Sequence, residues 1–428
     1  MTTTRRHTLV EFQTTKSVAL SAWERDAIRR ASPKLRVEPT IGRDGYYDLT
    51  PDQRIGVIAL PEVVLEIRPK VPMSSVLFLV SYGCGLVRWD DPEPELAENA
   101  DLVDLIAIIL ARAVTRATRR GLLFGYQTVD DVLQAPRGRI LFDEHLRRRH
   151  AKAPPVDVRH DIFTADILEN RLLLAALVTL NRVSSRSPAA RRATARAERL
   201  FGEVAIVPYR RHAVPDVVFT RLNSHYEPAL ALATLVLRSA SLDLGAGGAR
   251  SSAFLVDMNK VFEQFVRIAL REALGVDRRN LPDSAPPLRL DEAGAVPLKP
   301  DLCLIEQDQV VWVGDAKYKR LAEGEYRNAD LYQLLAYTVA LDLPSGTLVY
   351  AADVDAHSDE HIVVRAGKRL RFVALDLCES PRGIRRQIDA LAQCTERRPT
   401  LPRSSSEHPN RERAVAPSAL SPPAQPGA

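Results

Sequence analysis

The sequence is poor in the residues that form disulfide frameworks and zinc sites. Among 428 residues there are four cysteines and nine histidines, with no Cys-x-x-Cys pair and no histidine cluster. Structural zinc sites need closely spaced cysteine and histidine ligands, and disulfide-rich domains need paired cysteines. The cysteines are instead scattered, at Cys84, Cys303, Cys378 and Cys394. We therefore expect neither kind of site, and a reducing cytoplasm is the expected location.

The sequence also lacks long apolar runs and a nucleotide-binding loop. No apolar run reaches the length of a membrane span, and residues 1–7 lack the apolar core of a signal peptide. The glycine-rich stretch 244–251, a predicted flexible break, is not followed by the Gly-Lys-Ser/Thr of a phosphate loop. The sequence therefore predicts no membrane segment and no nucleotide site on this chain.

Basic and acidic residues are nearly equal in number, with a small excess of basic ones. Lysine and arginine number 59 against 54 acidic residues, which gives a formal charge of +5. Such a bias is compatible with a polyanionic partner without being diagnostic of one. Two arginine clusters, 147–150 and 186–199, are candidates for contacts with DNA phosphates, and a solvated helix face is the equally favoured alternative.

The length and the 46% apolar content leave room for two or three domains, and the predicted fold class is an α/β multidomain protein. Short strands and turns around one helix, capped by Ser21, predict a small β-rich N-terminal domain at 1–95. Residues 96–248 carry helical apolar spacing and predict a mainly helical middle region. Residues 249–398 predict an α/β domain. The proline-rich stretch 399–428 has little to bury and predicts a disordered tail.

The stretch 299–337 has the clearest chemical pattern in the chain. Two short apolar runs rich in β-formers, joined by a polar turn at 307–309, predict a hairpin. Asp301 opens its first strand, and Asp315 and Lys317 close the second. Because strand side chains alternate between faces, residues two apart point the same way. We therefore expect two carboxylates and one ammonium to converge on a single point.

This combination suits metal-assisted hydrolysis of a phosphodiester. Asp301, Asp315 and the backbone carbonyl of Ala316 are hard oxygen ligands of the kind that Mg²⁺ prefers. A bound Mg²⁺ polarises a phosphate and lowers the pKa of a bound water. Lys317 would orient that water or stabilise the charge that grows on phosphorus, whereas Lys319 is predicted to be a phosphate contact at best.

Read in order, these residues carry a resemblance to a nuclease family. Pro300-Asp301, Asp315-Ala316-Lys317 and Gln333-x-x-x-Tyr337 resemble the PD-(D/E)xK (restriction-endonuclease-like) α/β core, in the form with a trailing QxxxY helix that RecB-like nucleases share. The segment 257–266 resembles the first helix of that core. The order helix, hairpin, helix and strand also fits the family.

The resemblance implies roles for individual residues. Glu263 matches the glutamate that often completes the metal site of this family, beside Asp301, Asp315 and the Ala316 carbonyl. Gln333 and Tyr337 would orient the substrate strand or Lys317. The implied cofactor is Mg²⁺, with Mn²⁺ as the alternative ion.

A second resemblance concerns the N-terminal region. The motif Leu65-Glu-Ile-Arg-Pro-Lys-Val71, followed by a helix at 74–82, resembles the McrC subunits of methylcytosine-dependent restriction systems, as does the segment 136–141. It implies the nuclease subunit of a 5-methylcytosine-dependent restriction complex, which cleaves modified double-stranded DNA. It also implies a hexameric McrB-like AAA+ GTPase partner that binds the nucleotide, contacts residues 1–95 and is stimulated by them.

Two other functions remain open at this point. A stand-alone RecB-like repair nuclease would have the same core and would cut without a GTPase. A non-catalytic regulator would stimulate an AAA+ ring after its nuclease core had lost activity. The presence of Asp301, Asp315 and Lys317 argues against the second of these.

Overall fold

The computed structural model describes residues 4–91, 101–149, 154–183, 187–244, 250–319, 328–352 and 359–396. Helices and strands occur throughout these stretches, and the protein is a mixed α/β chain with several separate sheets. Within the described residues no helix combines the length and the apolar character needed to cross a membrane. The predicted tail at 399–428 and most of the predicted break at 244–251 lie outside the described residues.

The first 91 residues are rich in strands, as the sequence predicts. Their elements are β1 (Arg5–Val10), β2 (Thr15–Ala19), α1 (Ala22–Ala31), β3 (Arg36–Pro39), β4 (Tyr46–Thr50), β5 (Arg54–Ala59), β6 (Val63–Arg68) and α2 (Met73–Gly83). Helix α1 begins with the predicted capping box, in which Ser21 and Glu24 satisfy each other's backbone amides. Strands β2, β4 and β3 form a three-stranded antiparallel sheet, and β1 runs parallel to β6 in a second sheet.

The middle of the chain combines packed helices with a partly exposed sheet. Its elements are α3 (Leu102–Ala117), β7 (Gly125–Leu133), β8 (Arg139–Ile140), α4 (Phe142–Arg149), β9 (Val156–Thr164), α5 (Leu168–Arg182), α6 (Pro188–Glu198), α7 (Glu227–Ser239) and the 3-10 turns Arg199–Phe201 and Ser224–Tyr226. The predicted helices are present. Helix α3 ends at Ala117, with Thr118 as its C-cap.

The sheet in this middle region is larger than the sequence predicts. Strands β7, β9 and β8 form a three-stranded antiparallel sheet in the order β7-β9-β8, and β9 is not part of the predicted helical pattern. Much of the β7 and β9 surface is exposed, so charged residues occupy both strands and weaken their apolar alternation. We refer to strands β7, β8 and β9, together with Phe124 immediately before β7, as the ribbon.

The C-terminal part carries a second five-stranded sheet. Its elements are β10 (Ala240–Leu244), β11 (Arg250–Asp257), α8 (Met258–Ala273), β12 (Leu288–Arg289), β13 (Pro297–Leu298), β14 (Leu302–Glu306), β15 (Gln309–Lys317), α9 (Asn328–Ala340), β16 (Ser345–Ala352), β17 (Asp359–Ile362), β18 (Arg369–Asp376) and α10 (Pro381–Glu396). The strand order is β14-β15-β16-β18-β17, with parallel pairs on either side of β16. The predicted β14–β15 hairpin is confirmed, and Gln307 and Asp308 form its turn with positive φ angles of 50° and 61°.

Strands β10 and β11 return to the N-terminal sheet, whose order is β1-β6-β5-β11-β10. Strand β11 pairs antiparallel with β5, with Leu255 opposite Gly56. The backbone comes so close there that a Cβ at residue 56 would lie 2.0 Å from the carbonyl oxygen of Phe254. Helix α8 starts directly after β11. The N-terminal sheet is therefore joined, without a linker, to the helix that precedes the β14–β15 hairpin.

Candidate active site

The β14–β15 hairpin brings Asp301 and Asp315 together. Leu302 pairs with Gly314 across the hairpin, so Asp301 stands opposite Asp315. The amide of Ala316 donates a hydrogen bond of 3.1 Å to Oδ2 of Asp301. The structure thus brings together the two carboxylates, one from each strand, that the predicted hairpin was expected to place side by side. For Ala316 it gives a contact through the amide, while the metal-binding role of its carbonyl stays a prediction.

Lys317 lies on the same face of β15 as Asp315. Its ammonium forms an ion pair with Oδ2 of Asp315, and the two side chains are 15% and 1% exposed. Burial lowers the pKa of the Lys317 ammonium, but the neighbouring carboxylate charges outweigh burial and raise it above its usual value. Lys317 is therefore a positively charged group at neutral pH. An ammonium held beside the two carboxylates can stabilise negative charge that develops on a group bound there.

The two carboxylates carry more negative charge than Lys317 neutralises. Burial and the charge of Asp315 raise the pKa of Asp301 to about 7. Burial also raises the pKa of Asp315, although the charge of Lys317 opposes this. Because burial raises the pKa values of both carboxyl groups, a further cation bound between them would stabilise their ionised forms.

This donor set fits Mg²⁺ better than it fits a metal that needs an all-protein cage. No three His, Cys, Asp or Glu side chains of the described residues are arranged to hold one metal ion. Mg²⁺ typically binds through one or two carboxylates and takes its remaining ligands from water and substrate phosphate. Asp301 and Asp315 supply that number of carboxylates.

Glu263 lies close to this pair but is held by an arginine. On α8, Arg267 forms an ion pair with Oε1 of Glu263, and it donates a 3.0 Å hydrogen bond to the carbonyl oxygen of Asp301. Burial and the charge of Asp301 raise the pKa of Glu263, while Arg267 opposes the rise. Arg267 thus ties α8 to the start of β14. Its i, i+4 spacing from Glu263 was the only sequence signal that could have identified it.

Gln333 and Tyr337 brace the backbone that leads into Asp301. On α9, the side-chain amide of Gln333 donates a 2.6 Å hydrogen bond to the Tyr337 hydroxyl. That hydroxyl donates in turn to the carbonyl oxygen of Lys299 at 3.1 Å. Tyr337 is 1% exposed. The structure therefore places this pair on the protein backbone two residues before Asp301.

Lys319 is bound to an aspartate that the sequence did not single out. Its ammonium lies 2.9 and 3.0 Å from the two carboxylate oxygens of Asp330, in the first turn of α9. The hydroxyl of Tyr350, on β16, donates to Asp330 at 3.1 Å. These contacts attach the start of α9 to the ends of β15 and β16. Lys319 thus has a neighbouring carboxylate as its partner, and a phosphate contact stays a prediction.

A cleft of about 440 Å³ opens beside Glu263, Arg267 and Asp301. Residues 283–287 and Arg289 also line this cleft. A cavity of about 500 Å³ between α2, α3 and α10 contains none of the residues named above. The described parts of the arginine clusters lie on α4 and on α6 with the turn that follows it, and residues 150 and 186 lie outside the described residues. Arg191, Arg192 and Arg196 are exposed, and contact of the clusters with DNA stays a prediction.

Comparison with known protein families gives one extended match. A family model described as McrBC 5-methylcytosine restriction system component matches residues 49–351. The matched stretch includes every candidate site residue from Glu263 to Tyr337. The chain is also similar to the type IV methyl-directed restriction enzyme EcoKMcrBC of Escherichia coli (strain K12). The two are 20% identical over 310 residues, which cover 68% of this chain and 88% of that protein.

Two solved structures from Thermococcus gammatolerans are similar to the chain. One is a refined half-complex from a tetradecameric assembly of McrB AAA+ hexamers with bound McrC. The TM-score is 0.50 and the sequence identity 18%, and the match covers 90% of this chain and 100% of that chain. The likeness extends over nearly the whole fold. The other is the cryo-EM structure of the McrBC complex, at a TM-score of 0.38 and 20% identity, covering 63% and 88% of the two chains.

Proposed function

Because the chain belongs to the family of McrBC 5-methylcytosine restriction system components, we propose that it is the McrC-like nuclease subunit of a modification-dependent DNA restriction complex. The observation that carries the proposal is the buried pair Asp301 and Asp315 with the Lys317 ammonium against it. In this proposal α8, the β14–β15 hairpin, α9 and β16 form a PD-(D/E)xK core within a nuclease domain at 249–398. The reaction is hydrolysis of a phosphodiester in each strand of double-stranded DNA.

Each residue of the site has a role in this reaction. Asp301 and Asp315 would hold Mg²⁺ or Mn²⁺, with Glu263 as a third carboxylate if Arg267 releases it. The bound ion would polarise the phosphate and lower the pKa of the attacking water. Lys317 orients that water and stabilises the charge that develops on phosphorus, because its ammonium stays charged beside Asp315.

Gln333 and Tyr337 act on this site through the backbone. Their hydrogen-bonded chain ends on the carbonyl of Lys299, so it fixes the segment that carries Asp301. A carboxylate that binds a metal must be held within a fraction of an ångström of its working position. Burial raises the pKa of the Tyr337 hydroxyl, which keeps that hydroxyl neutral and able to donate.

We also propose an AAA+ hexamer as the partner, which would bind and hydrolyse the nucleotide. The sequence of this chain has no phosphate loop, and the matched T. gammatolerans structure contains McrB AAA+ hexamers. Besides residues 1–95, the ribbon offers a contact surface. Phe124, Tyr126 and Phe163 are 51%, 79% and 62% exposed, and their rings lie 5.3 and 5.2 Å apart around Phe163. A cluster of exposed aromatic rings is typical of a protein contact.

The proposal is tested by plasmid cleavage with the full chain, Mg²⁺, GTP or ATP, and an McrB-like AAA+ protein from the same organism. Methylated and unmethylated plasmids are compared. We expect cleavage that depends on partner, nucleotide and methylation, and we expect Asp315→Ala and Asp315→Asn to abolish it while partner binding persists. Asp166→Asn is the control, because Asp166 is likewise an aspartate paired with a basic side chain, here Arg171 through two hydrogen bonds, and it lies far along the chain from the site.

Other outcomes distinguish the alternatives. Cleavage by this chain alone would indicate a stand-alone repair nuclease. Stimulation of the partner's nucleotide hydrolysis without cleavage under any condition would indicate a regulator. Loss of complex assembly in the Asp315 variants, but not in Asp166→Asn, would make Asp315 a structural residue and would remove the basis of the mechanism.

A further inference from the structure

The Arg-Pro-Lys motif after β6 reaches the nuclease sheet, although no residue of the candidate site belongs to it. The ammonium of Lys70 lies 4.9 Å from the centre of the Tyr318 ring. It also lies 3.4 Å from the carbonyl oxygen of Ala351, at the end of β16. Tyr318 is the residue immediately after Lys317. The motif therefore contacts the end of β15, the strand that carries Asp315 and Lys317, and the end of its neighbour β16.

A buried carboxylate completes this contact. Glu11 follows β1 and is 1% exposed. Its Oε1 accepts a 2.7 Å hydrogen bond from the backbone amide of Lys70 and another of 2.7 Å from the Tyr318 hydroxyl. Residues 11 and 318 are 307 positions apart in the chain. One carboxylate thus joins two strand ends of the N-terminal sheet to the strand that carries Lys317.

Tyr318 is held on its other sides by helix α8. Its backbone amide donates a 3.1 Å hydrogen bond to Oδ1 of Asn259, and its ring packs against Phe262, with centroids 6.2 Å apart. The side chain is fully buried. Because neighbouring residues in extended backbone point to opposite faces, Tyr318 faces the N-terminal sheet while Lys317 faces Asp315. Any shift of Tyr318 would move the lysine.

A polar contact of this kind sets position more tightly than an apolar one. Burying a carboxylate costs free energy unless hydrogen bonds compensate, and those bonds have narrow limits of distance and angle. Apolar side chains in the same place could slide against each other at little cost. The Glu11–Tyr318 bond therefore allows few positions for the end of β15.

We propose that Glu11 and Lys70 are positioning residues for cleavage, supplied by the N-terminal sheet and acting through Tyr318 on the ammonium of Lys317. This inference rests on the proposed nuclease function. It assigns the N-terminal part of the chain a role in the chemical step, separate from any contact with an AAA+ partner. It also gives a role to Lys70 of the Arg-Pro-Lys motif, which the site itself does not use.

The test compares Tyr318→Phe and Glu11→Gln with Tyr82→Phe in the full chain, assembled with its partner. Tyr82 is a matched control, since its buried hydroxyl also donates to a glutamate, Glu272, and also joins an N-terminal helix to α8. We expect Tyr318→Phe and Glu11→Gln to lower kcat for DNA cleavage by about tenfold to a hundredfold, because small misplacements of a reacting group have effects of that size. KM for DNA and the partner's nucleotide hydrolysis should not change.

Two further measurements separate positioning from folding. The rate of chemical acetylation of Lys317, followed by peptide mass spectrometry, should change in Tyr318→Phe and Glu11→Gln and should stay at the wild-type value in Tyr82→Phe. In a double-mutant cycle, Glu11→Gln combined with Tyr318→Phe should cost no more kcat than the larger single change, because the two residues act as one unit.

Wild-type kcat in Tyr318→Phe, or an equal fall in Tyr318→Phe and Tyr82→Phe, would overturn the inference while leaving the nuclease function in place. Unchanged Lys317 acetylation in both Tyr318→Phe and Glu11→Gln would overturn it as well. A wild-type complex that cleaves no DNA would instead refute the proposed function, and the inference would fall with it.

Discussion

Replacing Asp301 with asparagine should stabilise the metal-free protein at alkaline pH. In the folded chain burial and the charge of Asp315 raise the pKa of Asp301 to about 7, from an ordinary value of 3.8. The carboxyl therefore holds its proton more tightly in the folded state than in the unfolded state. Its contribution to stability is fully present below about pH 4 and is lost as the pH rises through about 7. An asparagine keeps the shape and the acceptor for the Ala316 amide, and it does not ionise.

The size of the effect follows from the shift in pKa. One pKa unit corresponds to about 1.4 kcal/mol, so a rise from 3.8 to about 7 corresponds to at most about 4 kcal/mol between pH 4 and pH 8. Asp315 and Lys317 titrate together with Asp301 and will share part of this. We therefore expect a difference of a few kcal/mol, in the direction of greater stability for Asp301→Asn at pH 8.

The assay is thermal unfolding in EDTA at pH values from 4 to 8.5, for the wild type, Asp301→Asn and the control Asp216→Asn. The side chain of Asp216 is 92% exposed, so its replacement should leave the pH dependence unchanged. Asp301→Asn should flatten the fall in Tm above pH 5. Addition of Mg²⁺ at pH 8 should raise the Tm of the wild type and should have little effect on Asp301→Asn.

Equal pH dependence in Asp301→Asn and the wild type would refute the reasoning, because it would mean that Asp301 ionises without cost in the folded protein. A Tm that falls at every pH would show that asparagine disrupts the hairpin. Stabilisation of both proteins by Mg²⁺ to the same extent would place the ion elsewhere.

Two further predictions concern the joining of the sheets and the ribbon. Gly56→Ala should destabilise the chain by about 3 kcal/mol or more in thermal unfolding, because the new Cβ would lie 2.0 Å from the Phe254 carbonyl oxygen. The control Gly42→Ala, at φ +76° in open space, should cost about 1 kcal/mol in the same assay. Phe163→Ser should reduce stimulation of the AAA+ partner's nucleotide hydrolysis without lowering Tm, since the Phe163 ring is 62% exposed. The control is Val364→Ser, which should leave stimulation intact; Val364 follows β17 and is 86% exposed. Equal loss in both exposed variants would exclude the ribbon as the contact.

The convergence of Asp301, Asp315 and Lys317 was predictable because it depends on local rules. Two runs of β-forming residues around a polar turn specify a hairpin, and alternation puts residues two apart on one face. The position of the hydrogen-bonded pair on α9 was also accessible, since Gln333 and Tyr337 are four residues apart on a helix. What that pair would contact was not, because the neighbour is a backbone carbonyl from another element.

Contacts between distant parts of the chain left no local pattern to detect. In the sequence Arg267 is an ordinary helical arginine, and only the structure shows its hydrogen bond to the carbonyl of Asp301. Glu11 is a single acidic residue after a strand, and its partner is 307 positions away. The return of β11 to the N-terminal sheet depends on which edge is available in the folded molecule. The ribbon strand β9 was missed because its charged residues mask its alternation.

The path of the chain gives the N-terminal sheet two separate attachments to the candidate site. Strand β11 pairs with β5 as far as Asp257, which lies opposite Arg54 and also caps α8. The sheet therefore leads directly into α8, and Arg267 of this helix donates a hydrogen bond to the carbonyl of Asp301. On the other side Glu11 holds Tyr318, next to Lys317. One attachment thus acts on the strand of Asp301, and the other acts on the strand of Asp315 and Lys317. A twist of the N-terminal sheet would therefore shift the two sides of the site relative to each other, and a partner that binds this sheet could control cleavage without touching the carboxylates.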